Sequence, residues 1–183
     1  MKINKVRQLI YWSYANLAMA HSAVAQGKDR YSGVNFMIRS RLYKGLIDGK
    51  MNIRSMFDDE KVKLLSSNRC CYCGVEEKLA IDHLIPQFLG GNDSSDNFVY
   101  ACKTCNSSKG KKDMMEWMTS KGKFPPLMVL RRYLKLVHEY CSENELLDYN
   151  LEEMENIYVP FKQEFIPIDF PQPEKLVLIA SQK

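Results

Sequence analysis

Two Cys-x-x-Cys pairs, Cys70/Cys73 and Cys102/Cys105, stand 28 residues apart and constrain this 183-residue chain more than any other feature. Each pair lets two thiolates reach one ion from a single tight knuckle, and two knuckles complete a tetrahedral four-cysteine zinc sphere. A sphere closed by four thiolates makes the zinc structural, and its binding energy becomes folding energy for the segment between the knuckles. Gly74, directly after the first pair, suits the tight turn. The competing interpretation, a redox dithiol, needs both pairs to be coincidental. Cys71 and Cys141 are left over, and the Cys71–Cys73 spacing is wrong for a knuckle. Spare thiols fit a reducing compartment, so the expected location is the cytoplasm.

The segment inside the knuckles alternates. Residues 78–83 read as a short strand ending in Ile81-Asp82-His83, and residues 97–101 as a second strand. Between them Leu89-Gly90-Gly91-Asn92-Asp93 reads as a glycine-rich turn within a longer loop. A helix is expected to open at Asn106-Ser107-Ser108-Lys109 and run on through Asp113–Met118 to a break at Lys121-Gly122-Lys123.

The flanks read as helices. Residues 3–26 keep a stripe of Val6, Ile10, Leu17 and Val24 at three- and four-residue spacing, stopped by Gly27. Tyr11, Trp12 and Tyr14 widen it and are expected to pack in a core rather than stack on bases. Residues 34–48 place Val34, Ile38, Leu42 and Leu46 on one face, with Arg39, Arg41 and Lys44 pointing away from it toward any phosphate. A third short helix is expected after Asp58, ending near Asn68, and a further one after Pro125-Pro126 with Leu127, Leu130, Leu134, Val137 and Cys141 in its stripe. The tail after Tyr158 carries four prolines and reads equally well as a surface wrap or an edge strand.

Charge is unevenly spread. Residues 1–54 hold ten Lys/Arg against two acids, residues 103–123 hold six lysines (Lys111 and Lys112 among them) against two acids, and residues 143–155 hold six acids and no base. Two basic blocks suggest a polyanion partner. No stretch is apolar enough to span a bilayer; the nearest, residues 9–25, is interrupted by Ser13, Asn16, His21 and Ser22.

Cys-x-x-Cys, Asp-His, Gly-Gly, a downstream Asn, then Cys-x-x-Cys-Asn-x-x-Lys together resemble the HNH endonuclease family, the ββα-metal fold, in its zinc-containing form. The match runs over roughly residues 66–118. Together with the flanks read above, this makes an α+β, mostly helical protein: a basic helical extension (1–67), the HNH core with a four-cysteine zinc site that the resemblance implies (68–120), and a C-terminal helix and tail (121–183). The resemblance implies His83 as general base for a water attacking phosphorus, a neutral imidazole being suited to that task near neutral pH. It implies Asp82 and Asn106 as oxygen ligands of a catalytic Mg²⁺ or Mn²⁺, Asn97 as the residue holding the loop, and Lys109 as a phosphate contact. Where the family's name has its second histidine this chain has Asn106, which adds a hard oxygen donor.

The expected function is thus metal-dependent hydrolysis of DNA phosphodiesters, double-stranded DNA being favoured and RNA left open. The competing functions are a zinc-stabilised nucleic-acid-binding module without catalysis and a nuclease subunit targeted by a partner. One such centre cuts one strand, which leaves a homodimer or a targeting protein as the route to a double-strand break. Restriction, mobile-element and antiviral settings are not distinguished by these residues.

Overall fold

The computed structural model describes residues 2–53, 64 and 68–181. The helix expected between Asp58 and Asn68 falls almost wholly outside them. Among the described residues there are five α-helices, α1 (Val6–Ala25), α2 (Gly33–Ile47), α3 (Lys103–Lys109), α4 (Met114–Ser120) and α5 (Leu127–Glu143), and one antiparallel pair of strands, β1 (Leu79–His83) and β2 (Phe98–Cys102). The mostly helical α+β class is the expected one. The chain divides into two compact units, each drawing on separated stretches of sequence.

One unit takes the described residues of 1–57, 134–158 and 166–176. At the start of α1 the Gln8 side chain accepts from the amides of Asn4 (2.9 Å) and Lys5 (3.1 Å), and Val6 N–H donates to Tyr149 C=O (3.1 Å). These contacts occupy amides that a helix start leaves open. Gly27, at φ +64°, ends α1 as expected, with the Lys28 amide closing on Ala23 C=O at 3.0 Å. Asp148, in the acidic block, pairs with Arg7 and lies 3.8 Å from the Lys5 ammonium. Part of the N-terminal positive charge is therefore offset by an acid of the same unit.

Two expectations for α2 are corrected. Val34 is exposed rather than buried, and only Leu46 of the expected stripe is fully enclosed. Arg39 does not reach outward. Its guanidinium lies 4.6 Å over the Trp12 ring and 5.1 Å from Phe36, and it donates to Asn16 Oδ1 at 3.2 Å. Trp12 in turn packs edge-on against Tyr43 and donates to Ile168 C=O. A weakly hydrated, planar cation is better satisfied on an aromatic face than an ammonium would be, which is why the arginine is captured. Arg41 and Lys44 stay exposed.

The second unit takes the described residues of 58–133, 159–165 and 177–183, and holds both strands, α3, α4 and the start of α5. The expected single helix from Asn106 to Met118 is two helices. Cys102 caps α3, so that helix starts three residues before Asn106, and Gly110 ends it in a conformation (φ +54°, ψ −129°) that an L side chain would strain. Asp113 then caps α4, its Oδ1 accepting from Met115 (2.8 Å) and Glu116 (3.2 Å). Burial pushes the Asp113 carboxyl up to about 6, against the opposing pull of the Tyr133 hydroxyl and those two amides.

The tail forms short 3-10 turns, not the edge strand that was one of its two expected forms. The carbonyls of Val177 and Leu178 accept from the amides of Leu127 (2.9 Å) and Met128 (3.0 Å), the first two residues of α5. The tail thus serves as the cap that Pro125-Pro126 cannot supply. Five residues further into α5, Arg132 donates to the Asp96 carbonyl (2.6 Å) and pairs with its carboxylate (2.8 Å), holding the loop that joins the strands.

Candidate functional site

The first knuckle is closed by Gly74 N–H to Cys70 C=O at 2.8 Å and Cys70 N–H to Val75 C=O at 2.7 Å, with Gly74 at φ +79°. The second is the junction of β2 and α3, where Cys102 Sγ accepts from the Cys105 amide at 3.4 Å. The antiparallel pairing of β1 with β2 brings the two together. The sulfurs of Cys70, Cys73, Cys102 and Cys105 all lie within 4.8 Å of one another, and Cys73 and Cys102 are 3.7 Å apart. A tetrahedron with Zn–S bonds of about 2.3 Å has edges of about 3.8 Å, so the donor set fits zinc. Burial, then the charge of Cys70, pushes the Cys105 thiol far above its usual range. Four such sulfurs need a cation to ionise together, and they are positioned to bind a metal such as zinc. Cys71 is not a member of this cluster: its amide donates to Tyr100 C=O (2.8 Å), and burial raises its thiol well above the ordinary range. Cys141 is core, as expected from its stripe.

β1 reverses the usual alternation. Its isoleucine, Ile81, is 55% exposed, whereas the neighbouring Asp82 is 6% exposed. The buried carboxylate is satisfied on both oxygens. Oδ2 accepts from the Tyr72 hydroxyl at 2.7 Å, and Oδ1 from the Lys109 ammonium at 3.0 Å. Lys109 also donates to the His83 carbonyl at 2.6 Å. Lys109 is therefore enclosed on the inner face of α3, and not on the surface where a phosphate contact was expected; a buried cation needs a buried counter-charge, and Asp82 supplies it.

His83 ends β1 opposite Phe98, whose ring it meets edge-on at 4.9 Å. Its Nε2 is 3.0 Å from Asp93 Oδ1, in the glycine-rich turn. Asn97 clasps that loop: Oδ1 accepts from Ile85 N–H (2.9 Å), and Nδ2 donates to Ile85 C=O (2.7 Å) and Asn92 C=O (2.8 Å). The clasp requires Gly91, since a Cβ there would sit 2.0 Å from the Ile85 carbonyl oxygen. Asn106 lies on α3 one turn before Lys109, with Nδ2 3.5 Å from Ile81 C=O. Its amide oxygen accepts no hydrogen bond from a described residue. Asp82, His83, Asn106 and Lys109 are thus brought to one end of the β1–α3 packing, and Asn97 braces the loop behind His83.

The basic candidates divide between the units. Arg39, Arg41 and Lys44 belong to one, Lys111 and Lys112 to the other. Lys111 and Lys112 are exposed, and the Lys111 ammonium lies 4.6 Å over the ring of Phe88, which is itself 70% exposed. Tyr72 and Asp93 are site residues that sequence reasoning did not single out. Neither carries a periodic signal, and each acquires its role from a partner ten residues away.

Two antiparallel strands and a helix, clamped by a four-cysteine cluster positioned to bind a metal such as zinc and presenting Asp-His at a strand end, form a ββα finger. Residues 70–115, about a quarter of the chain, match the family model described as HNH endonuclease, and the chain carries an HNH domain. That match suggests a nuclease-type function and a nucleic-acid substrate. No curated protein and no solved structure matches the chain. No helix among the described residues is long and apolar enough to cross a membrane.

Proposed function

We propose that this protein is a cytoplasmic, metal-dependent DNA endonuclease in which His83 is the general base. The observation that carries the reading is the contrast between consecutive residues at the end of β1: a buried carboxylate at Asp82 and a partly open imidazole at His83. His83 accepts a proton from the attacking water at one ring nitrogen, and its contacts with Phe98 and Asp93 hold the ring for that transfer. Asn97 keeps the loop, and hence His83, from shifting. The lysines at 111 and 112 meet backbone phosphates.

A divalent ion fits the donors that remain. An ionised carboxylate has about four lone-pair positions, of which Tyr72 and Lys109 use two, and the Asn106 amide oxygen is uncommitted. Asp82 and Asn106 would hold Mg²⁺ or Mn²⁺, hard ions suited to oxygen donors. When bound, the ion supplies charge stabilisation at the phosphate and the leaving oxygen.

The test is nicking and linearisation of plasmid in Mg²⁺ by wild type and His83→Ala, with zinc content measured in both. Loss of about 10²–10⁴-fold in rate with zinc retained is expected. A His83→Ala protein that cuts like wild type removes the general-base assignment. One observation favours a second reading. Both Asp82 oxygens already have protein partners, as they would in a zinc-stabilised binding module that does not cut. Retained DNA binding with no cleavage of any DNA or RNA form would select it.

A further inference from the structure

We propose that Tyr72 is a positioning residue that couples the cysteine cluster to the divalent-cation site by fixing the Asp82 carboxylate. The proposal rests on the reading of Asp82 as a cation ligand.

Tyr72 sits inside the first knuckle, between Cys71 and Cys73, where its backbone has little freedom. The turn is closed on one side by Gly74 N–H to Cys70 C=O, and Cys71 N–H ties it to β2 at Tyr100. The ring is buried and meets Trp117 edge-on at 4.9 Å, so it cannot swing away from β1. From this fixed base the hydroxyl reaches Asp82 Oδ2 at 2.7 Å, a length typical of a hydrogen bond to a charged oxygen. The Tyr72 side chain thus joins the knuckle that carries Cys70 and Cys73 directly to the Asp82 carboxylate.

Lys109 holds the other carboxylate oxygen, but the two partners are not equivalent. Lys109 brings a positive charge that opposes a divalent cation on the same carboxylate. Tyr72 is a neutral donor. It fixes the orientation of Asp82 without that opposition, and the carboxylate keeps lone pairs that neither partner uses. Partners of this kind typically alter metal affinity by about 10- to 100-fold when removed. An order-forming zinc knuckle that also places a ligand of the second site gives the cluster a part in the chemistry as well as in the fold.

The experiment uses the full zinc-loaded chain and follows Mn²⁺ binding by the loss of the free-ion electron paramagnetic resonance signal. Zinc content and the thermal melt are recorded alongside. Tyr72→Phe is expected to keep its zinc and bind Mn²⁺ about 10- to 100-fold more weakly. Replacing Tyr72 by p-aminophenylalanine, which keeps a weaker donor on the same ring, should fall between Phe and wild type. Whichever of the two variants folds carries the test, and wild-type Mn²⁺ affinity in that variant overturns the proposal. Asp82→Asn separates the two readings. If it too binds Mn²⁺ like wild type, Asp82 is not a cation ligand and the reading beneath the proposal fails. If Asp82→Asn abolishes binding while the folded Tyr72 variant does not weaken it, the Tyr72 assignment alone is wrong.

Discussion

Lys109 and Asp82 lie 3.0 Å apart with side chains 1% and 6% exposed, an ion pair withdrawn almost completely from water at the join of α3 and β1. Breaking a buried pair from one side leaves the other charge stranded, at a cost of about 3–5 kcal/mol. Lys109→Met should therefore destabilise the unit that holds the finger by that amount in urea melts. The double variant Asp82→Asn/Lys109→Met, which removes both charges, should recover most of the loss while remaining unable to cut. A single variant that melts within 1 kcal/mol of wild type would show that the pair is not holding the finger together.

The cysteines make a second prediction by division. Cys102→Ser should release the metal and unfold the segment between the knuckles, because binding and folding are one process in such sites. Cys71→Ser and Cys141→Ser should keep full zinc stoichiometry by elemental analysis, since Cys71 lies outside the four-sulfur cluster and Cys141 is core. Zinc loss in Cys71→Ser would mean that the wrong member of the Cys70-Cys71 pair has been assigned.

Basic residues should separate in a salt titration of DNA binding. Each lysine that meets a phosphate lowers the log–log salt slope by about 1 when removed. Lys111→Ala and Lys112→Ala should each do so. Arg39→Ala should leave the slope unchanged and lower the melting temperature, because its guanidinium rests on Trp12 and Asn16. A flatter slope in Arg39→Ala would put that arginine on the DNA.

Asp113 predicts a pH effect of unusual direction. Its folded pKa of about 6 lies above the ordinary value of 3.8, so the folded state binds the proton more tightly than the unfolded chain. Ionised Asp113 is thus a liability above pH 6. Stability gained from it rises as pH falls through about 6 and is complete below about 4, on the order of 2–3 kcal/mol. Asp113→Asn keeps an oxygen for the α4 amides but cannot titrate. Melts of the two proteins should converge below about pH 4 and diverge at pH 8, with Asp113→Asn the more stable there. Parallel curves would remove Asp113 as the source.

What the sequence disclosed and what it hid follow a physical division. The cysteine spacing, the Asp-His strand end and Gly27 could be read directly, because each is a local rule of coordination or backbone geometry. Trp12 with Arg39, and Asp82 with Tyr72 and Lys109, could not. Those partners meet across 10 to 27 residues of chain, a range at which periodicity carries no information. The start of α3 is hidden from the sequence for a related reason. A cysteine is a poor cap by propensity, and Cys102 acts as one because the knuckle turns its sulfur toward the Cys105 amide.

The cap that Val177 and Leu178 place on α5 bears on the order in which the protein is made. Asp82 and His83 are synthesised long before those carbonyls exist, yet Arg132, which steadies the loop at Asp96, lies on the helix that they complete. During translation the amides of Leu127 and Met128 have no such partners until the ribosome has added the tail. The Asp82–His83 end of the finger is built well before residues 177–178, on which the securing of its loop depends.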